Sequence, residues 1–100
     1  MMEFGGSIRA DELCEMVVLV NRRGLHARAA AKFVQVAAAF KAEIHVAKDD
    51  MRVPGNSIMG LMMLAAGPGC CIDIQAEGNE AAPAVEALAA LVAARFDEDE

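Results

Sequence analysis

Asn21-Arg22-Arg23-Gly24-Leu25-His26-Ala27-Arg28-Ala29 joins two unlike kinds of sequence. Before it, Met16 to Val20 is a short continuous apolar run, suited to a buried or central strand. After it, Ala27 to about Phe40 places Ala30, Phe33, Val34, Ala37 and Phe40 at helical spacing, with Arg28, Lys32 and Gln35 elsewhere on the surface. The stretch therefore reads as a strand, a glycine turn and a helix start, and His26 stands where the helix cap belongs. Caps are ordinarily Ser, Thr, Asp or Asn, whose side-chain oxygen takes up the first free backbone N–H groups. No such residue lies between Arg22 and Lys32. The N–H groups of Ala27, Arg28 and Ala29 are thus expected to stay open at the positive end of the helix dipole. An open helix start suits phosphate or sulfate, and Arg28 and Arg23 add forked cations beside it. The plainer reading is a solvated histidine in a loop, and spacing alone leaves both standing.

Working outward, Gly5-Gly6-Ser7 and scattered charge mark residues 1–14 as a flexible extension. Glu43 to Lys48 alternates, with Ile44 and Val46 on one face and His45 and Ala47 on the other. Asp49-Asp50 turns the chain, and Met51 to Val53 is a short strand that Pro54 places at an edge or an end. Asn56 or Ser57 caps a short helix to about Leu64. Gly67-Pro68-Gly69 breaks the chain, Cys71 to Ala76 alternates through Ile72 and Ile74, and Gly78-Asn79 leads into a last helix capped at Asn79 or Glu80. Its inward stripe is Val85, Leu88, Leu91, Val92 and Phe96. The order β-α-β-β-α-β-α predicts an α+β, open two-layer sandwich with four strands in one layer and three helices on one face. One domain, residues 15–96, lies between the extension and an acidic tail, residues 97–100. That tail is expected to be solvated and to fray, because acids oppose the negative end of a helix.

The formal net charge of −6 is unevenly spread. Residues 1–15 carry −3 and the tail −4, so residues 16–96 are close to neutral at +1. Arg22, Arg23, Arg28 and Lys32 then make the helix start locally basic, a patch able to steer an acidic or phosphorylated partner. Acidity overall and four Phe as the only aromatics argue against nucleic-acid binding. No apolar run reaches a membrane span and no secretory signal is visible, so no membrane role is expected and the cytoplasm is the expected compartment. Cys14, Cys70 and Cys71, odd in number, make a poor disulfide framework and are expected as buried or half-buried thiols. No His or Cys spacing suits zinc, and neither metal nor cofactor is expected.

Asn21 to Val34, centred on Gly24-Leu25-His26-Ala27-Arg28, resembles the active-site signature of HPr, the histidine-containing phosphocarrier family of the bacterial phosphoenolpyruvate-dependent phosphotransferase system. A second block agrees in order and separation: Ser57-Ile58-Met59-Gly60-Leu61-Met62-Met63-Leu64 resembles the family's regulatory helix. The likeness spans about Glu15 to Phe96 and implies a four-stranded antiparallel sheet with its helices on one face. It implies that His26, through Nδ1, accepts a phosphoryl group from Enzyme I and passes it to an Enzyme IIA-type protein. Arg28 and the open N–H groups would stabilise the phosphate. Ser57, otherwise an ordinary helix cap, matches the serine that HPr kinase/phosphorylase modifies in some lineages. Many members have proline after the arginine; Ala29 stands here and hints at a nitrogen-related variant.

Phosphoryl transfer is mostly positioning plus charge stabilisation, and with no P-loop or second base in sight the chain reads as a carrier rather than a stand-alone catalyst. Met59, Met62 and Met63 either fill core or, with Leu61, form an adaptable apolar patch that docks partners beside Arg23 and Lys32. The alternative function is a regulatory binding protein that uses the Ser57 and Met-rich surface without carrying phosphate. A small anion-binding domain would need a closed pocket, and no long loop is available to form its lid. A monomer is expected for a shuttle.

Overall fold

The structure is a computed structural model that describes residues 12–99. Four antiparallel strands, β1 (Glu12–Val18), β2 (Glu43–Lys48), β3 (Met51–Pro54) and β4 (Cys71–Glu77), form one sheet in the order β1-β4-β2-β3. Three helices interleave with them: α1 (Ala27–Ala37), α2 (Ile58–Met63) and α3 (Ala81–Ala93). The alternation predicted for β2 and β4 decides which face is covered. Ile44, Val46, Ile72, Ile74 and Ala76 are buried, as are Phe33, Leu61, Leu88 and Val92 from the helices. Strand parity puts these side chains on one face of the sheet, so the molecule is the expected open-faced α+β sandwich. Ala29, Ala30 and Ala84 are also buried, small residues that let the helices lie close to their neighbours. No helix of the described residues is long and apolar enough to cross a membrane.

Three local expectations need correction. The first strand begins at Glu12, inside the supposed 1–14 extension, and ends at Val18 rather than Val20. Its limits follow the length of its partner β4, with Glu12 opposite Glu77 and Val18 opposite Cys71, and not the apolar run. It is an edge strand, and Met16, Val18 and Val20 are exposed on the open side while Leu19 is fully buried. The rest of the extension, residues 1–11, lies outside the described residues. Cys14 and Cys71 are exposed rather than buried, because the same parity turns them away from the helices. Finally, α1 stops at Ala37, and tighter turns carry the chain through Ala39 and Phe40.

Past α3 the chain does not fray. Arg95, Phe96 and Asp97 adopt successive positive φ angles of 59°, 54° and 62°, a left-handed course that L side chains disfavour. Phe96 is fully buried there, and its carbonyl accepts a 2.8 Å hydrogen bond from Lys32 Nζ on α1. Core burial and one long-range hydrogen bond thus hold a strained turn, which sends the acidic tail back toward the start of α1.

Candidate functional site

The site begins with the turn after β1. Gly24 has φ +61°, and a Cβ placed on it would meet the Ala66 carbonyl oxygen at 2.4 Å. Only glycine fits both the backbone angle and that approach. The next residue, Leu25, is buried and donates its N–H to the same Ala66 carbonyl at 3.0 Å. The loop leading into α1 is therefore stitched to the loop leaving α2. Asn21 is fully buried and secures the turn from within, its Nδ2 donating to the Gly24 carbonyl at 2.9 Å.

His26 caps α1 with extended backbone, φ −75° and ψ 178°, and its side chain accepts no capping bond. Its carbonyl takes the first helical hydrogen bond, from Ala30 N–H at 2.9 Å. The N–H groups of Ala27, Arg28 and Ala29 bond to no described residue. Because the imidazole is not spent on the cap, the helix start keeps its donors and its partial positive charge. Ala27 and Arg28 are exposed, and Arg23 and Arg28 line a cleft of about 630 Å³ beside them.

The opposite wall of that cleft is the tail, Asp97 to Asp99. Glu98 Oε2 contacts His26 Nε2, and Glu98 Oε1 accepts a 2.9 Å hydrogen bond from Asn21 Nδ2. The His26 and Glu98 side chains are only 16% and 15% exposed. Burial alone would push the Glu98 carboxyl up, but hydrogen bonds from Asn21 and His26, with the positive charge that His26 and Arg23 supply, hold it below the usual glutamate value. The expectation of a wholly solvated tail fails here. Its acids face the basic patch of the same molecule instead of opposing only the end of α3.

Ser57 caps α2, its Oγ accepting from Gly60 N–H at 2.9 Å, and α2 packs against α1. Met59, Met62 and Met63 are 71%, 41% and 62% exposed, all three outward. Leu61 is fully buried and cannot belong to a docking patch; on so short a helix it is the one side chain turned to the core. Lys32 is engaged by the tail, through the Phe96 carbonyl and, at 3.9 Å, Asp97. Asn21 and Glu98 were not assigned a role from sequence. A polar residue at the inner end of an apolar strand was a signal for Asn21, whereas nothing local marked Glu98. No cluster of metal-ligand side chains occurs among the described residues.

Residues 14–94 match the family described as the PTS HPr component phosphorylation site. The chain belongs to the HPr family. It is 48% identical to the phosphocarrier protein HPr of Neisseria meningitidis serogroup A over 88% of this chain and 99% of that protein. It is 40% identical to the phosphocarrier protein NPr of Shewanella violacea, covering 87% and 96%. The crystal structure of an HPr from Bacillus anthracis superposes with a TM-score of 0.78 at 47% identity, covering 81% of this chain and 96% of that one. A phosphocarrier of the phosphotransferase system is the function this family membership supports. The matched residues include the turn and the helix start described above.

Proposed function

We propose that His26 receives a phosphoryl group from phosphorylated Enzyme I and delivers it to an Enzyme IIA-type acceptor. The observation that carries this reading is the first turn of α1: a capping histidine whose side chain makes no cap, followed by three uncommitted N–H donors and the Arg28 guanidinium. A phosphoryl group on the ring has three equatorial oxygens to satisfy. Backbone N–H groups and a forked cation are the stabilisers such oxygens need, and they require no reorganisation when charge arrives. Attack needs a neutral ring nitrogen, which imidazole supplies near physiological pH. Ala29 in place of proline keeps its N–H but is fully buried, so the exposed donors of the turn are those of Ala27 and Arg28.

Docking falls to the surface around the site. Arg23 and Arg28 give it positive charge, and Met59, Met62 and Met63 give it adaptable apolar contact suited to more than one partner. Ser57 is the proposed site for regulation by an HPr kinase/phosphorylase, since phosphate on it would place negative charge on the face that meets acidic partners. The carrier unit begins with β1 at Glu12, takes in the tail as far as the Glu98 contact with His26, and acts as a monomer.

Phosphorus NMR after mixing the protein with phosphoenolpyruvate, magnesium and Enzyme I tests the reading. The expected result is an acid-labile phosphoramidate signal that is absent in His26→Ala. No signal from folded wild-type protein, with the Enzyme I active on another HPr, overturns the carrier role and leaves regulation through Ser57.

A further inference from the structure

Granted the carrier chemistry proposed above, we infer that Glu98 is a positioning residue for His26, holding the imidazole by Nε2–H so that Nδ1 presents the lone pair to phosphorus. A carboxylate can only accept, so the nitrogen facing it carries the proton. In a neutral ring the other nitrogen is then the nucleophile, and Nδ1 has no hydrogen-bond partner among the described residues. Glu98 is itself anchored. Its second oxygen takes the Asn21 amide, and the same amide nitrogen bonds the Gly24 carbonyl in the turn that starts α1. Nucleophile, orienting carboxylate and anchor thus form a continuous chain, the arrangement that lets an imidazole offer one chosen nitrogen.

The backbone supports this assignment independently. Three successive non-glycine residues, Arg95 to Asp97, hold positive φ angles directly before Glu98. Strain of this kind persists only where the surroundings impose it. Here the burial of Phe96 and the Lys32 bond to its carbonyl impose it, and the outcome is that a residue of the acidic tail reaches His26.

The chemical step balances without any added group. His26 Nδ1 forms a bond to the phosphorus of the donor phosphohistidine while the donor's P–N bond breaks. That electron pair returns to the donor ring, which keeps the proton on its other nitrogen. The His26 ring, phosphorylated at Nδ1 and still protonated at Nε2, becomes cationic, and the Glu98 carboxylate faces that new charge. No proton changes place. A carboxylate behind an imidazole that turns cationic stabilises the transition state as well as fixing the tautomer.

The test compares wild type with Glu98→Ala in the full chain. Nitrogen-15 NMR of the unphosphorylated, neutral His26 ring should show the Nε2–H tautomer alone in wild type and a mixture with the Nδ1–H form in the variant. The initial rate of label transfer from phosphoenolpyruvate through Enzyme I should fall about tenfold, as expected for one lost charge-assisted hydrogen bond to the reacting ring. Wild type with a mixed or Nδ1–H ring overturns the assignment, and so does a variant with unchanged tautomer and rate. Failure of the carrier reading looks different: wild type then takes no label at all, whatever its tautomer.

Discussion

Asn21 and Glu98 stand 77 positions apart and are joined by a 2.9 Å hydrogen bond from amide to carboxylate. The same amide nitrogen donates to the Gly24 carbonyl, so one buried side chain ties the turn before α1 to the tail after α3. Asn21→Ala removes both bonds and leaves the Gly24 carbonyl without the Asn21 donor. A buried group stripped of its partner costs about 1–3 kcal/mol. Urea denaturation should therefore show a lower midpoint with an unchanged slope, since the surface exposed on unfolding hardly alters. A midpoint equal to wild type would remove Asn21 as the anchor of the site.

Glu98 makes part of the stability depend on pH. Its folded titration lies below the unfolded value of about 4.3, because the Asn21 and His26 hydrogen bonds and the charges of His26 and Arg23 outweigh burial. A group depressed in the folded state stabilises fully above its unfolded value, and the contribution is lost as pH falls through the folded one. Wild type should therefore exceed Glu98→Ala by about 1 kcal/mol or less near pH 5, the scale of a partly exposed ion pair. The margin should shrink as pH drops below about 4.3. Denaturation midpoints measured from pH 5 to pH 3, below the range in which imidazoles ordinarily change charge, check this, and a margin that fails to shrink there would contradict the assigned interactions.

The start of α1 was legible because capping is local chemistry. The absence of any Ser, Thr, Asp or Asn between Arg22 and Lys32 predicted an unfilled first turn, and the backbone at His26 has that form. The alternation of β2 and β4 likewise announced a sheet covered on one face. The tail was not legible. Its return depends on Phe96 finding the core through a left-handed turn, and on contacts to residues more than sixty positions away, neither of which leaves a periodic trace. The limits of β1 failed for a related reason, since a ladder is bounded by its partner strand and not by its own apolar run.

Leu61 and Met59 are two positions apart on α2 and should behave oppositely. Leu61 is fully buried, whereas Met59 is 71% exposed. Leu61→Ala removes packed methyl groups and leaves a cavity, for a loss of about 2–5 kcal/mol. Met59→Ala should move stability by no more than about 0.5 kcal/mol. Its expected effect is instead a higher KM for phosphorylated Enzyme I, with kcat unchanged, as for lost ground-state contact. Thermal melts and transfer kinetics on the two variants separate core from contact surface. Equal KM values in wild type and Met59→Ala would remove the methionine from the docking face.

Ser57 serves two ends that substitution can divide. Its Oγ caps α2 by accepting the Gly60 N–H at 2.9 Å, and the proposed regulatory phosphate would sit on that same oxygen. Ser57→Ala loses the cap, for about 1 kcal/mol of stability, without adding charge. Ser57→Asp keeps an acceptor at the cap and places a negative charge at the positive end of the helix, so its stability should stay close to wild type. The aspartate also lies on the face proposed to meet acidic partners, and it should slow phosphoryl transfer from Enzyme I while Ser57→Ala transfers normally. Melting temperatures and initial transfer rates for both variants check the pair of outcomes. A slow Ser57→Ala would mean that the cap itself shapes the docking face, and a fast Ser57→Asp would mean that charge at this position does not reach the partner.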